Sequence, residues 1–137
     1  MKRMATKRKP PARRRSVRNG ETSMGLPIVG REDWDDGTIV TWLGSPFPIA
    51  RKPIVPSRLH LRAKRKRVAL ASLAGTQLRV TENGVRRYME DAGDELPLVY
   101  KYRGESIIAD GHHRLVAALL RGNKTAFVRV VEVPEDE

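Results

Sequence analysis

The clearest alternation of apolar and polar positions lies in the last third of the chain. Residues 96–102 and 106–109 are mostly apolar and bounded by turn residues, which predicts two strands. The Arg-Gly-Glu sequence at 103–105 is typical of a tight turn, so the two strands are expected to form a hairpin. The sequence of residues 125–133 predicts one further, final strand.

Residues 112–121 predict a helix between the hairpin and the closing strand. Its apolar side chains recur at the i, i+1, i+4 and i+5 positions of a core-facing stripe, namely Leu115, Val116, Leu119 and Leu120. Gly122 is expected to end the helix, because glycine adopts the left-handed C′ conformation at low cost. Strand, helix and strand in this order predict one right-handed crossover.

A second, shorter helix is predicted at residues 80–91. Thr81 is a suitable N-cap, and the buried stripe would consist of Val85, Tyr88 and Met89. Gly84 weakens the prediction, since glycine is a poor helix former.

The first half of the chain shows only short apolar pieces broken by turns. Residues 26–68 are therefore expected to form an irregular extension, in which residues 38–44 could be a strand. Residues 45–57 are not expected to be helical because they contain four prolines, Pro46, Pro48, Pro53 and Pro56. The apolar stretch at 68–74 is ambiguous between strand and helix.

Candidate chemistry is concentrated where the hairpin turns into the 112–121 helix. Gly111 allows close backbone approach, and Asp110 could cap the helix. His112, His113 and Arg114 fall in the first turn, where free N–H groups and the helix dipole favour an anion. We therefore predict a phosphate-binding site at Gly111 and Arg114, because a guanidinium suits bidentate phosphate contact.

The same five residues allow more than one interpretation. Asp110, His112 and His113 are candidate catalytic residues, since a histidine of near-neutral pKa can move protons in phosphodiester cleavage. His112 precedes Val116 by one turn and is expected to point partly inward, which leaves His113 and Arg114 freer to face a ligand. Alternatively, Asp110 only caps the helix, and the other side chains bond to neighbouring groups in a structural role.

Residues 108–118, Ile-Ala-Asp-Gly-His-His-Arg-Leu-Val-Ala-Ala, together with Gly122 and the strand at 126–131, resemble the signature of the ParB/sulfiredoxin superfamily. The Asp-Gly-His-His-Arg box is most similar to that of small phage and bacterial ParB-like nuclease proteins. The resemblance covers about residues 70–133 and implies an α+β domain with a mixed sheet, in which residues 70–77 form a first strand that leads into a helix.

Two differences between this sequence and the family signature exclude activities that the resemblance would otherwise imply. Sulfiredoxin chemistry requires a cysteine where His112 stands, and ParB partitioning proteins carry glutamate and arginine at the positions of His112 and His113. Neither sulfiredoxin activity nor metal-dependent CTP hydrolysis is therefore expected. The predicted organisation is a disordered basic tail at 1–25, the extension at 26–68 and a ParB-like domain at 69–137.

The charge of the chain predicts the kind of partner that the protein binds. The net charge is +11, and residues 1–20 hold nine lysines and arginines and no acid. A second basic block lies at residues 58–67, and such blocks favour a polyanion, DNA first of all. The expected nucleic-acid contacts are Arg13, Arg14, Arg15, Arg62, Lys64, Arg65, Lys66 and Arg67. The alternatives are a solvated tail and an exposed linker.

Composition also excludes several classes of protein. Without cysteine there is no disulfide framework, thiolate metal site or cysteine nucleophile. No apolar run approaches the ~20 residues of a membrane span, and no signal-peptide core follows the basic start. A cytoplasmic protein of a bacterium or phage-infected cell, with no membrane partner, is expected.

Three functions are compatible with these features. The first is a DNA-binding ParB-like nuclease, for which a divalent cation such as Mg²⁺ would be the cofactor, although no metal-binding residues are predicted. The second is a nucleotide (CTP or ATP) binding switch or kinase-like module. The third is a non-catalytic protein that associates with DNA. Oligomeric state does not follow from the sequence.

Overall fold

The computed structural model describes residues 21–135 as a small α+β protein with a mixed sheet. The strands are β1 Thr22–Ser23, β2 Leu26–Asp33, β3 Ile39–Gly44, β4 Lys64–Ala69, β5 Leu73–Ala74, β6 Arg79–Thr81, β7 Leu98–Tyr102, β8 Glu105–Asp110 and β9 Thr125–Glu132. The helices are α1 Glu82–Glu90 and α2 His112–Leu120, with 3₁₀ helices at Ser57–Arg62 and Leu70–Ser72. The predicted α+β class is confirmed.

The larger sheet has five strands in the order β4-β9-β7-β8-β5. Its β7/β9 and β5/β8 pairs are parallel, and its β4/β9 and β7/β8 pairs are antiparallel. The predicted β7–β8 hairpin is confirmed. It turns through Arg103 (φ 53°) and Gly104 (φ 80°), and two successive positive φ angles are typical of a type I′ hairpin turn.

The predicted right-handed crossover around α2 is wrong. β8 runs antiparallel to β7, and β9 runs parallel to β7, so the strands that α2 connects run in opposite directions. They also lie on opposite sides of β7. The hairpin turn places β8 against one edge of β7, and the chain must pass over the sheet through α2 to reach the other edge.

Residues 26–68 differ from the predicted irregular extension. β2 and β3 pair in a second sheet of order β1-β2-β3-β6, and buried residues alternate with exposed ones at the start of β2. A register shift lies between Ile28 and Gly30, and after it the inward positions Gly30 and Glu32 are only half-buried. Because neither of these two residues is a large apolar one, the strand pattern is weak in the sequence. β4 pairs with β9 along its whole length, so the predicted boundary between 68 and 69 falls inside a strand.

Residues 70–77 also differ from the strand-to-helix unit expected from the resemblance. Leu70–Ser72 is a 3₁₀ helix, and the strand that follows has only two residues, Leu73–Ala74. β6 of the second sheet then precedes α1.

One hydrophobic core joins the two sheets and both α helices. It includes Leu43 of β3, Val85 of α1, Ile108 of β8, Leu115 of α2 and Val128 of β9, all with exposed fractions near zero. The opposite face of the five-stranded sheet is covered by the 3₁₀ helix Ser57–Arg62, whose Leu59 packs with Tyr100 and Val131. The N-terminal segment from residue 26 is therefore part of the same core as the signature helix.

The buried side of α2 is wider than the predicted stripe. Leu115, Val116, Ala117 and Ala118 are buried, whereas Leu119 and Leu120 are partly buried at its margin. Gly122 terminates the helix as predicted, because it follows the Arg121 C-cap in the left-handed conformation with a φ of 90°. The Gly122 N–H donates to Leu119 O and the Asn123 N–H donates to Ala118 O, the two bonds of a Schellman motif.

Both α helices have nine residues, and none of the helices within 21–135 is long and apolar enough to cross a membrane.

Candidate functional site

The turn that begins α2 depends on Gly111. Its φ of 92° lies in the left-handed region, and a Cβ there would come within 2.8 Å of Pro97 Cβ. Asp110 is the last residue of β8 and accepts a hydrogen bond from the adjacent Gly111 N–H at 2.9 Å. The predicted Asp110 cap is therefore wrong, because the N-cap position is taken by Gly111, which provides no side-chain cap bond.

His112 points into the protein, further than the sequence predicts. Only 5% of the surface of His112 is exposed, and its Nε2 accepts a hydrogen bond from the Thr76 N–H at 3.0 Å. Burial lowers the pKa of His112 to about 4, and the neighbouring His113 acts in the same direction, while Asp110 partly opposes the shift. His112 is thus neutral at physiological pH.

His113 turns toward α1 and away from the position expected of a ligand-facing side chain. Its Nε2 accepts a hydrogen bond from the Thr81 N–H at 3.1 Å, and burial lowers its pKa. The Thr81 hydroxyl in turn accepts from the Gly84 N–H at 3.2 Å and caps α1, as predicted from the sequence.

The two histidines therefore act first as connectors between elements. Each uses Nε2 to satisfy a backbone N–H of the chain leading from β5 to α1, so the proton of each neutral ring is assigned to Nδ1. Proton transfer at either Nε2 would require that bond to break. Asp110 is exposed next to them, and no group of three histidine, aspartate or glutamate side chains within residues 21–135 could hold a metal ion.

Arg114 extends from α2 to the end of α1. Its guanidinium donates to Ala92 O, lies 4.4 Å from the centre of the Tyr88 ring and packs against Gly93. Arg121, one residue beyond α2, donates to Tyr88 O at 2.8 Å. Both arginines thus bind backbone carbonyls near the C-terminal end of α1, where positive charge complements the helix dipole.

A cleft of about 420 Å³ opens beside these arginines. α2 forms one wall, the loop from Ala92 to Pro97 forms another, and the adjoining ends of β4 and β9 close it. Three arginines contribute to its lining, namely Arg67, Arg114 and Arg121, and Phe127 of β9 also lines it. The sequence singled out Arg67 and Arg114 but missed Arg121 and Phe127, because nothing in their local pattern separates them from an ordinary helix end and strand.

β4 presents four consecutive basic side chains, Lys64, Arg65, Lys66 and Arg67, all of them exposed. β4 is an edge strand of the five-stranded sheet and pairs with β9 on one side. In this ladder Arg67 lies directly opposite Phe127. The Cζ atoms of Arg65 and Arg67 lie 4.1 and 4.9 Å from the centre of the Phe127 ring. Lys66 Nζ forms an ion pair with Glu132 at 3.7 Å.

Of the eight residues predicted to contact nucleic acid, five lie on or beside β4 and three lie outside the described residues. Arg62 is exposed at the end of the 3₁₀ helix and adjoins β4, and Arg67 connects β4 to the cleft that contains Arg114. Arg13, Arg14 and Arg15 lie outside the described residues. Asp110, His112 and His113 are neighbours along the chain, but their side chains serve different contacts.

Comparison of the chain with protein-family models, curated proteins and solved structures gives no match. The functional interpretation therefore depends on the chain's own residues, and the ParB/sulfiredoxin resemblance stays a prediction from the Asp-Gly-His-His-Arg box.

Proposed function

We propose that this protein binds DNA, with the sugar-phosphate backbone lying against β4. The observation that carries the proposal is the run of four exposed basic side chains along this strand. A strand directs successive side chains to opposite faces, so Lys64 and Lys66 extend to one face and Arg65 and Arg67 to the other. The strand can therefore contact phosphates from both sides of its edge.

The charge around β4 supports the same function. Residues 37–78 contain no acidic residue, and their eight basic residues are Arg51, Lys52, Arg58, Arg62, Lys64, Arg65, Lys66 and Arg67. Such a one-signed segment attracts a polyanion and raises its association rate. The nine basic residues of the first twenty positions would add to the attraction.

A charged edge strand has a second, purely structural use, because lysines and arginines prevent other strands from pairing with it. Two features of β4 are not explained by protection against pairing with other strands. Arg65 and Arg67 stack around an exposed aromatic ring, and Arg67 continues into the cleft lined by Arg114 and Arg121. Positive charge thus extends from the edge onto the neighbouring surface, as contact with a long anion requires.

Binding is proposed here in preference to cleavage. The nuclease hypothesis needs a proton carrier at His112 or His113, and the Nε2 atoms of both rings already accept backbone N–H groups. The lowered pKa of each ring also disfavours a role as general acid at neutral pH.

The proposal is tested with Arg65→Gln/Arg67→Gln, which removes two charges and keeps side-chain polarity. Fluorescence anisotropy would measure the affinity for a labelled duplex. Loss of two charged phosphate contacts should weaken binding by roughly 100-fold or more, since hydrogen bonds to charged groups contribute about 1.5–3 kcal/mol each and about 1.4 kcal/mol corresponds to a tenfold change.

The matched control is Arg31→Gln/Arg79→Gln. Both residues are exposed on strands of the other sheet, and Arg79 stacks on Trp42 at 4.1 Å much as Arg65 stacks on Phe127. The control has the same net charge as the test variant and should bind more tightly than it. Equal affinities would show that net charge alone attracts DNA, and the β4 assignment would be wrong.

A further inference from the structure

Phe127 is an aromatic side chain that the hydrophobic core does not use. It lies on β9 with 38% of its surface exposed, and it belongs to neither hydrophobic cluster of the described residues. The guanidinium groups of Arg65 and Arg67 lie against its ring, and Phe127 is among the residues that line the cleft beside α2. Exposed aromatic rings with arginines beside them are the usual stacking platforms for unpaired bases.

The cleft next to this ring has apolar and cationic parts that suit one nucleotide. Among its apolar lining residues Leu96 is half-buried and offers apolar surface, whereas Pro97, Leu115 and Ala118 are buried and present little of it. The volume of about 420 Å³ falls within the range of small-ligand sites. A base could therefore lose its water on this surface, while its phosphates stay near the arginines.

Arg114 and Arg121 are held in position before any ligand arrives. Each donates to a backbone carbonyl near the end of α1, Ala92 O for Arg114 and Tyr88 O for Arg121. A guanidinium has five N–H donors, so these bonds leave donors for a phosphate. Fixed arginines lose little freedom on binding, which favours affinity.

We propose that this cleft takes one unpaired nucleotide of a DNA single strand, with the base on Phe127 and the adjoining phosphates on Arg67, Arg114 and Arg121. A base that stacks on the ring displaces one of the two guanidinium groups, which then turns to the neighbouring phosphate. The inference rests on the proposed DNA-binding function and adds a strand preference to it. Paired bases cannot enter the cleft unless the duplex opens, at a cost of a few kcal/mol.

The test compares affinities for a single-stranded oligonucleotide of about 20 nucleotides and for the duplex of the same sequence. The wild-type protein should prefer the single strand. Phe127→Leu keeps an apolar side chain but removes the π face, and it should weaken single-strand binding by about 5- to 150-fold, because stacking contributes about 1–3 kcal/mol per base. Duplex affinity should stay within about twofold.

Tyr102→Leu is the matched control. Tyr102 is a partly exposed aromatic residue on β7 with the Cζ of Arg103 at 5.0 Å from its ring, but it lies outside the cleft. Its substitution should leave the preference for single strands unchanged, and Phe127→Tyr should retain it. Thermal melting would verify that each variant is folded. A 2-aminopurine base in the oligonucleotide should be quenched by the wild type and not by Phe127→Leu.

Three results would overturn the inference. Equal loss of single-strand and duplex affinity in Phe127→Leu, or no preference in the wild type, would leave β4 as a backbone-binding surface without a base site. Tight binding of a free mononucleotide that displaces no oligonucleotide would assign the cleft to a small ligand. Absence of DNA binding by the wild type would reject the proposed function as well.

Discussion

His112 and His113 occupy the positions where the sequence predicts catalytic chemistry, and in the structure they bind the backbone. Histidine is suited to this role because a neutral ring offers one acceptor nitrogen that reaches further than a serine or asparagine oxygen. Each ring accepts one N–H, from Thr76 for His112 and from Thr81 for His113. The residues that resemble a family signature thus have a measurable structural function of their own.

The pH dependence of stability follows from the lowered pKa of His112. The pKa falls from 6.5 in the unfolded chain to about 4 in the folded protein, so the unfolded state binds more protons between these values. The free energy of unfolding should be constant above about pH 6.5 and should fall by up to roughly 3 kcal/mol as the pH approaches 4. The lowered pKa of His113 acts in the same direction. Urea denaturation between these pH values would measure the loss.

His112→Gln separates this effect from general acid denaturation. The Gln side-chain oxygen can accept the Thr76 N–H and does not titrate, so the variant should lose less stability between pH 6.5 and 4 than the wild type. An identical pH dependence in the two proteins would mean that His112 is not the titrating group.

Contact between α1 and α2 explains a glycine that the sequence pattern does not favour. Gly84 lies in the first turn of α1, and a Cβ there would meet His113 Cδ2 at 2.5 Å and Thr81 Oγ1 at 2.8 Å. The His113 ring therefore crosses α1 at the one position that lacks a side chain. A poor helix former is retained because it lets the two helices approach and lets His113 reach the Thr81 N–H.

Gly84→Ala should therefore destabilise the protein, although alanine usually stabilises a helix by up to about 1 kcal/mol relative to glycine. Overpacking against His113 should lower the free energy of unfolding by about 1–3 kcal/mol, measured by urea denaturation. Asn83→Ala, at an exposed neighbouring position, should change it by about 0.5 kcal/mol or less. The effect of Gly84→Ala should shrink in a His113→Ala background. A more stable Gly84→Ala protein would contradict the contact.

Elements with a strong local pattern were predictable, and elements formed by pairing were not. The local signals are confirmed, namely the Thr81 cap of α1, the apolar face of α2, Gly122 after α2 and the Arg-Gly turn of the β7–β8 hairpin. The N-terminal cap of α2 is the exception, because Asp110 does not cap that helix. β4 consists largely of lysine and arginine, and its strand conformation comes from the ladder with β9, about sixty residues further along the chain.

The surface formed by β4, Phe127 and the neighbouring cleft was predictable only in part, because it too depends on pairing between distant segments. The basic block is visible in the sequence, but its proximity to Phe127 and Arg121 depends on long-range pairing. The orientation of His113 depends on where α1 packs, which no spacing within residues 110–114 reveals.

On the scale of the whole molecule, basic charge is unevenly distributed along the chain. The first twenty residues carry nine positive charges, whereas the other 117 residues carry eighteen basic and sixteen acidic side chains. Within that second part, the acid-free segment 37–78 contains β4. Two basic regions, one of them outside the described residues, are therefore available for the proposed DNA binding, and experiments on variants can separate them.

The salt dependence of duplex binding tests the central claim most directly. Each phosphate contact that is lost lowers the slope of log affinity against log salt by about 0.9, whereas a change that only alters long-range attraction or folding does not remove contacts. Arg65→Gln/Arg67→Gln should reduce the slope by up to roughly 1.8, and Arg31→Gln/Arg79→Gln should leave it at the wild-type value. The same slope in all three proteins would show that β4 does not contact the phosphates and would contradict the account.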